Sequence, residues 1–232
     1  MKCWGILGAL DREVALLREA MVVLSSETLF GTTFYVGTLN DVPVVVACCG
    51  IGKVNATACA TLMVYRYHCT VLINAGIAGA VAHGLQTLDV VISKELSFHD
   101  QDAVMLKYFP EKEWFEADPQ LVALCEQACQ KPGLLQHTYR VGRIATGDVF
   151  VNDRVTRDRI IAQRQPDCVE MEGAAIAHVA FASHVPCLVI RTMSDCADEE
   201  TDVTYDDFLE RAADQSANIV LEMIRLYASK EV

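Results

Sequence analysis

Short apolar segments alternate with segments of helical spacing along most of the chain. Several of the apolar segments lack polar alternation, which is typical of strands buried on both faces of a sheet. We predict strands over Cys3–Leu7, Val42–Cys48, Val71–Asn74, Leu88–Ser93, Arg140–Ala145 and Cys187–Thr192. We predict helices over Asp11–Met21, Lys53–Tyr67, Pro119–Gln130, Gly173–Ser183 and Tyr205–Tyr227. This order predicts an α/β fold in which helices cover both faces of a central, mixed, twisted sheet.

Length and hydropathy indicate one domain with much covered apolar surface. The 232 residues are 52% hydrophobic, which suits a single domain over residues 1–232. The mean hydropathy of +0.24 is high, so we expect apolar surface to be covered in the sheet and between subunits. No apolar run approaches the roughly 20 residues that span a bilayer, and no signal peptide opens the chain. The sequence therefore predicts a cytoplasmic protein without a membrane partner.

The net charge and the cysteine pattern exclude some classes of ligand. The net charge of −12 repels a polyphosphate backbone, so we expect a small molecule as ligand and no nucleic acid. The ten cysteines include no CxxC pair, which favours reduced, buried thiols. Cys125 and Cys129 are one helical turn apart, but no nearby histidine completes a metal site. We therefore expect no metal site from the cysteines.

Ligands of open α/β sheets gather at the carboxyl ends of the strands, where this chain has two kinds of feature. Glu13 lies in the first turn of the helix after the first strand, a place that solvated acids also favour. Two glycine-rich turns, Cys49–Lys53 and Asn74–Ala80, use small residues that let a ligand approach the backbone. Neither turn matches GxGxxG or GxxxxGKS/T, so a dinucleotide-dependent enzyme and an NTPase are not supported.

Two further segments place charged residues in apolar surroundings. Glu170 and Glu172 flank Met171 directly before an apolar helix, which favours one of the two acids being held for a ligand. Arg191 and Asp195 emerge from the most apolar strand, either as site residues or as a buried ion pair with each other. Both segments are therefore candidates for the functional site.

The least regular stretch, Phe98–Asp118, carries several aromatic side chains. They include Tyr108, Phe109, Trp114 and Phe115. A long loop with many rings is typical of a lid or an interface element, and the alternative is that the rings pack on their own domain.

Six segments together resemble a known family. GILGALDREVALL, CCGIGKVNA, INAGIAGA, ATGDVFVN, VEMEGAAIAHVA and VIRTMSDCAD, in this order and at these separations, are similar to the bacterial 5′-methylthioadenosine/S-adenosylhomocysteine nucleosidases. The resemblance covers almost the whole chain, and VEMEGAAIAHVA and RTMSDCAD are its most specific parts. It implies a nucleoside phosphorylase-like fold, cofactor-free release of adenine from a thio-substituted ribose, and a homodimer in which residues 98–118 reach the partner's pocket.

The resemblance also implies a role for each site residue. Asp195 would be the general acid that protonates the purine, in the desolvated setting that the preceding apolar run supplies, and Ser194 would orient it. Glu13 would activate the attacking water. Glu172 would bind the ribose hydroxyls, and Met171 would pack against the sugar.

Further residues would hold the water and the substrate. Arg191 would hold the water and steer the carboxylates, Phe150 would stack on adenine, and the backbone of Val151 would read the purine edge. The other substrate-binding residues that the resemblance implies are Leu10, Ile51, Ile77, Ala78, Gly79, Ala197 and Tyr205. Of these, Leu10, Ile51 and Tyr205 would meet the 5′ substituent.

Three of these residues depart from the family pattern. Ile77 stands where a serine is usual, and it lacks the hydroxyl that helps to hold the water. Leu10 replaces a common methionine, and Tyr205 replaces a common phenylalanine. The change at Ile77 puts the rate or the substrate in question, whereas the other two alter only the surroundings of the thioether.

Other functions remain open on the sequence alone. A futalosine-type hydrolase breaks the same bond in a related nucleoside, although Asp195 argues for a purine with an exocyclic amine. A phosphorylase would need cationic donors for phosphate, and Arg12 stands next to Glu13, whose charge repels an anion. A non-catalytic nucleoside-binding protein would have little use for three costly charged groups.

Overall fold

The computed structural model describes residues 2–197 and 201–230, and of residues 201–207 it describes the backbone alone. The described residues form ten strands, β1 to β10, over Trp4–Gly8, Val22–Leu29, Thr32–Leu39, Val42–Cys48, Val71–Ala80, Val90–Phe98, Phe115–Glu116, Tyr139–Thr146, Cys168–Glu170 and Cys187–Asp195. They form six α-helices, α1 to α6, over Asp11–Ala20, Lys53–Tyr65, Pro119–Cys129, Arg154–Arg164, Gly173–Ala182 and Thr201–Ala228. The predicted α/β class is confirmed.

The strands form one mixed sheet, part of which closes on itself. β1 pairs in parallel with β4 and β5, and β10 pairs in parallel with β5. β6 runs antiparallel to β10, and the series β6, β8 and β9 leads back to β5. β2, β3 and β4 extend the other side as an antiparallel meander. The predicted mixed sheet is confirmed, and the closure through β5 and β10 was not foreseen.

Two apolar layers separate the sheet from its helices. On one face, α2 and α5 contribute Met63 and Ile176 to the core. On the other face, α1, α3 and α6 contribute Leu17, Leu124 and Met223. Side chains of the central strands alternate between the two layers, which is why these strands are apolar throughout.

Several strands continue further than predicted. β5 runs past Asn74 to Ala80, β6 runs past Ser93 to Phe98, and β10 runs past Thr192 to Asp195. The small residues after Asn74 indicated a turn, but they pair with β10 in a register that sets Gly79 beside Asp195. The small side chains therefore allow the backbones of β5 and β10 to approach each other, and they also leave space for a ligand.

Several elements escaped the sequence prediction because their apolar patterns are weak. β2 is mostly exposed along its length, and its sequence does not alternate between apolar and polar residues. It therefore lacks the pattern by which a half-buried strand is recognised. α4 buries Ile160 alone, which leaves no apolar stripe to recognise. α6 begins at Thr201 and not at Tyr205. Among the described residues, no helix has the length and apolarity needed to cross a membrane.

The irregular segment 98–118 has two parts with different surroundings. Phe115 belongs to β7, is 2% exposed and stacks on His178 with ring centroids 5.1 Å apart. Tyr108 and Phe109 follow a short 3₁₀ helix over Ala103–Lys107 and are 64% and 72% exposed. The part around Phe115 packs on its own domain, whereas Tyr108 and Phe109 present exposed aromatic surface.

An ion-pair cluster joins α6 to the end of α3. Glu222 is 4% exposed and accepts hydrogen bonds from Arg225 Nη2 at 2.5 Å and from Lys131 Nζ at 2.7 Å. These hydrogen bonds lower the pKa of Glu222 to about 2, although burial opposes them. Because a free glutamate has a pKa of about 4.3, the stability that Glu222 adds is complete above that pH. It is lost as the pH falls from about 4 towards 2.

We expect Glu222→Gln to lower the free energy of unfolding at neutral pH by about 1 kcal/mol, since solvent screens the half-exposed Lys131 and Arg225. The deficit should shrink as the pH falls through about 4 to 2, because protonation then neutralises the wild-type carboxylate too. Urea denaturation across this pH range checks the prediction, with the exposed Glu19→Gln as control. Equal unfolding free energies for Glu222→Gln and the wild type at neutral pH would contradict it.

Candidate active site

The carboxyl ends of β1, β5 and β10 open into one cleft. The turn after β4, the loop after β8 and the segment around Met171 complete its walls. It is lined by Ala9, Leu10, Glu13, Ile51, Ile77, Ala78, Gly79, Val149, Phe150, Val151, Val169, Glu170, Met171, Glu172, Ser194 and Asp195. The fold thus gathers most of the predicted site residues from segments far apart in the sequence.

Two predicted site residues, Arg191 and Ala197, do not line the cleft. Arg191 is 1% exposed and lies beneath the carboxylates that line the cleft. Ala197 is fully buried, and its backbone N–H donates to Asp195 Oδ1 at 2.8 Å. Tyr205 lies in α6, and its side chain is outside the described residues.

Glu13 is held in the cleft by three backbone amides. Its Oε2 accepts hydrogen bonds from the N–H groups of Ala9 at 2.6 Å and Leu10 at 2.9 Å, and its Oε1 accepts one from Ile77 at 3.0 Å. The contact with Leu10 caps the first turn of α1. Glu13 is only 2% exposed, so the alternative of a solvated helix-start acid is wrong. Burial raises its pKa, although Arg191 and the three amides act in the opposite direction.

Gly76 makes room for the charged groups of the site. A Cβ atom at this position would lie 2.3 Å from Arg191 Nη1 and 2.4 Å from Glu13 Oε1. The sequence interpretation assigned such small residues to close approach of a ligand. At Gly76 the groups that approach the backbone belong to the protein, and any larger residue would displace them.

Arg191 balances three buried carboxylates. Its Nη2 donates to Glu170, to Asn74 Oδ1 at 2.5 Å and to Glu172 Oε2 at 3.5 Å. Burial alone would lower the pKa of Arg191, but Glu170, Glu172 and Glu13 raise it above its usual value. The ion-pair partners are therefore glutamates, and the alternative of a pair with Asp195 is wrong.

Glu170 is one of the two candidate acids of this segment, but the sequence analysis assigned it no role in the site. Its Oε2 accepts the backbone N–H groups of Glu172 at 3.0 Å and Gly173 at 2.7 Å, so it caps α5. Its Oε1 accepts the hydroxyl of Thr146. An acid three positions before a predicted helix was the available signal. Both Glu170 and Glu172 line the cleft.

Glu172 faces both the cleft and the turn after β4. Its Oε1 accepts the Gly52 backbone N–H at 2.8 Å, and it is 4% exposed. Burial raises its pKa to about 7, with Arg191 opposing this shift and the neighbouring Glu170 adding to it. Glu172 therefore changes charge close to neutral pH.

Asp195 lies at the end of β10 with both carboxylate oxygens engaged. Ser194 Oγ donates to its Oδ2 at 2.6 Å, and Ala197 N donates to its Oδ1 at 2.8 Å. Asp195 is 3% exposed. A Cβ atom at Gly79 would lie 2.8 Å from Asp195 Oδ1, so glycine is needed for this close packing. The carboxyl group is thereby fixed in orientation at the wall of the cleft.

The loop after β8 forms the outer side of the cleft. Phe150 is 48% exposed, whereas Val151 is 5% exposed and packs into a small apolar cluster with Val169 and Ala197. Ile51, at the opposite rim, is 52% exposed. The mouth is thus apolar and accessible, while the charged groups lie deeper.

Comparisons with known proteins show the family to which the chain belongs. The family model described as the phosphorylase superfamily matches residues 4–225. The chain is 39% identical to the 5′-methylthioadenosine/S-adenosylhomocysteine nucleosidase of Geobacillus thermodenitrificans, over 97% of this chain and 98% of that protein. It is similar to the nucleosidase of Neisseria meningitidis solved in complex with methylthio-immucillin-A, with a TM-score of 0.92, 32% identity and coverage of 97% and 100%. The futalosine hydrolase of Helicobacter pylori has a TM-score of 0.90 at 30% identity, with coverage of 97% and 98%.

Proposed function

The chain belongs to the phosphorylase superfamily, and from its similarity to 5′-methylthioadenosine/S-adenosylhomocysteine nucleosidases we propose that it hydrolyses the N-glycosidic bond of these two nucleosides. The products are adenine and the thio-substituted ribose, and 5′-deoxyadenosine is a further proposed substrate. The observation that carries the proposal is the convergence of Glu13, Glu172 and Asp195 on one cleft. The binding of methylthio-immucillin-A by the Neisseria meningitidis nucleosidase supports it.

Asp195 is the proposed general acid. Adenine is a poor leaving group as an anion, so a proton must reach the purine ring as the glycosidic bond breaks. Ser194 and the Ala197 amide fix the carboxyl group from behind. In this arrangement Phe150 stacks on the purine and the backbone of Val151 reads its edge.

Glu13 is the proposed base that activates the attacking water. Its three backbone hydrogen bonds set its orientation without any side-chain hydroxyl. The Ile77 contact is made by the backbone N–H, so it does not depend on the residue type at this position. Arg191 positions the carboxylates, and its Nη2 is already committed to Asn74, Glu170 and Glu172. Holding the attacking water, which the resemblance also implied for Arg191, is a further proposed role of this residue.

Glu172 is proposed to bind the ribose hydroxyls, with Met171 against the sugar. An ionised carboxylate also favours the positive charge that develops on the ribose in the transition state. Leu10, Ile51 and Tyr205 are the proposed neighbours of the 5′ substituent. Ala78 and Gly79 would contact the substrate beside them.

The activity should depend on pH through Glu172. Its pKa is raised to about 7, so the charged form that accepts hydrogen bonds from the ribose declines below that pH. We expect kcat/KM to fall by up to about tenfold for each pH unit below about 7. A pH–rate profile checks this, and the residual activity of Glu172→Gln should not show this fall of kcat/KM below about pH 7. A wild-type profile that stays flat from about pH 5 to 8 would contradict the assignment.

A futalosine hydrolase is the second candidate, because such an enzyme is among the similar structures. Incubation with methylthioadenosine, S-adenosylhomocysteine and futalosine in parallel, followed by chromatography of the released base, separates the two functions. Adenine release from the thio-substituted nucleosides at higher kcat/KM than base release from futalosine is the expected result. A higher kcat/KM for futalosine would show that futalosine is the substrate, while the N-glycosidic bond would still be the bond that is cut.

Hydrolysis is favoured over phosphorolysis by the surroundings of Arg12. Its Nη2 lies 3.2 Å from Asp214 Oδ2 and 3.7 Å from Glu210 Oε2. With Glu13 adjacent in sequence, this cation is already balanced by acids and has little charge to offer a phosphate. A purely binding role is disfavoured because burying several carboxylates costs stability.

We further propose a homodimer in which residues 98–118 lie near the partner's pocket. Val104, Met105, Tyr108 and Phe109 are between 48% and 72% exposed, which is unusual for a cluster of large apolar side chains. Sedimentation velocity at micromolar concentration should show a dimer, and the double variant Tyr108→Ser/Phe109→Ser should shift it towards monomer. A wild-type chain that sediments as a stable monomer would count against the proposal.

A further inference from the structure

A ring of hydrogen bonds joins three segments beside the cleft. Asp100, which follows β6, accepts hydrogen bonds from Lys53 Nζ at 2.8 Å and 2.7 Å. Its Oδ2 also accepts the backbone N–H of Asp148 at 2.9 Å. Asp148 Oδ1 in turn accepts the backbone N–H of Lys53 at 2.8 Å. We call Lys53, Asp100 and Asp148 the mouth junction.

The mouth junction is attached to both ends of the proposed substrate site. Asp148 directly precedes Val149, Phe150 and Val151, which line the cleft on the purine side. Lys53 directly follows Gly52, whose N–H donates to Glu172 at 2.8 Å on the ribose side. None of the three junction residues is among those that line the cleft. Any effect they have on the substrate must therefore act through the loop and the turn.

The loop is also fixed from beneath by His99. This side chain is 5% exposed, and a Cβ atom at Gly147 would lie 2.3 Å from its Cε1. The backbone N–H of Gly147 donates to Glu170 O at 3.1 Å. The first residue of the loop is therefore held by packing and the second by Asp100, so the loop leaves β8 in a set direction.

The hydrogen bonds of the mouth junction that Asp100 accepts are strengthened by its negative charge. Its side chain is 19% exposed and that of Lys53 is 26% exposed. Burial alone would raise the pKa of Asp100, but the hydrogen bonds from Lys53 and from the Asp148 amide lower it overall. Asp100 is therefore ionised at neutral pH, and hydrogen bonds to an ionised acceptor are stronger than those to a neutral one.

We propose that Asp100 is a positioning residue for substrate binding, which holds loop 147–151 over the purine and, through Lys53, the Gly52 turn against Glu172. The inference rests on the proposed function and adds to it a residue outside the cleft. A loop that is already ordered loses little entropy when the nucleoside binds, so loss of the junction should weaken binding more than it slows bond cleavage.

The test compares Asp100→Ala, Asp100→Asn and Lys53→Met with the wild type and with Asp158→Asn, whose side chain lies exposed on α4. Steady-state kinetics with methylthioadenosine should show KM raised about tenfold in Asp100→Ala while kcat stays within about threefold. Asp100→Asn should lie in between, because its amide oxygen can still accept the Asp148 N–H. Lys53→Met and Asp100→Asn together should raise KM by less than the product of the single effects, since both remove one shared contact.

Amide hydrogen exchange provides a readout that needs no turnover. Exchange of the amides of Asp148 and its loop should become faster in Asp100→Ala and remain unchanged in Asp158→Asn. Unchanged exchange together with an unchanged KM in Asp100→Ala would overturn the inference, as would equal losses of kcat and kcat/KM. A wild-type chain that releases no adenine would instead overturn the proposed function, while the exchange result would still decide whether Asp100 orders the loop.

Discussion

Replacing Asp195 with asparagine is expected to reduce kcat for methylthioadenosine by about 10²- to 10⁴-fold, the usual contribution of a positioned acid. Asparagine has nearly the same shape, and its Oδ1 can still accept the Ala197 N–H that the aspartate accepts at 2.8 Å. It has no proton to give to the purine at the moment when the glycosidic bond breaks. The loss should therefore fall on the chemical step.

Binding measurements separate this effect from a damaged site. Isothermal titration with adenine should give dissociation constants for Asp195→Asn and the wild type that agree within about tenfold. Asp158→Asn, an exposed replacement of the same chemistry, serves as the control for activity and folding. Turnover by Asp195→Asn within about threefold of the wild type would refute the acid assignment.

Replacing Glu13 with glutamine is expected to reduce kcat by a comparable factor of about 10² to 10⁴, because an amide cannot take a proton from water. The carboxylate now accepts N–H groups on both oxygens, from Ala9 and Leu10 on one side and from Ile77 on the other. A glutamine must turn its NH₂ group towards one of these donors. Some displacement of the side chain will add to the loss of the base.

Single-turnover rates with enzyme in excess over methylthioadenosine measure the bond-breaking step in Glu13→Gln directly. Glu19→Gln is the matched control, because Glu19 lies exposed on the same helix. A thermal melt should show that Glu13→Gln remains folded, since it also removes a buried charge. A single-turnover rate equal to that of the wild type would rule Glu13 out as the base.

The sequence was sufficient to predict the elements that carry a strong apolar pattern. β4 begins and ends at the predicted residues, and α1, α2, α3 and α5 begin at the predicted residues. These elements bury one face or both, so their patterns have a clear period. β2 and α4 bury little, and nothing local marked them as regular structure. β3 was also missed, although it buries Phe34 and Leu39.

The candidate site was predictable in position but not in its internal contacts. Strand ends and the acids after them indicated the segments that hold Glu13, Glu172 and Asp195, and the family resemblance selected these three residues within them. The partners of Arg191 depend on how β9 and β10 are placed across the closed sheet, which no local pattern encodes. The pairing of Arg191 with Glu170 was therefore missed.

Adenine release from methylthioadenosine in the presence and absence of phosphate tests the central claim most directly. The account predicts equal initial rates under both conditions, with free 5′-methylthioribose as the other product. Release that requires phosphate and yields a ribose 1-phosphate would contradict hydrolysis by water and the role given to Glu13. No release under either condition would contradict the proposed substrate.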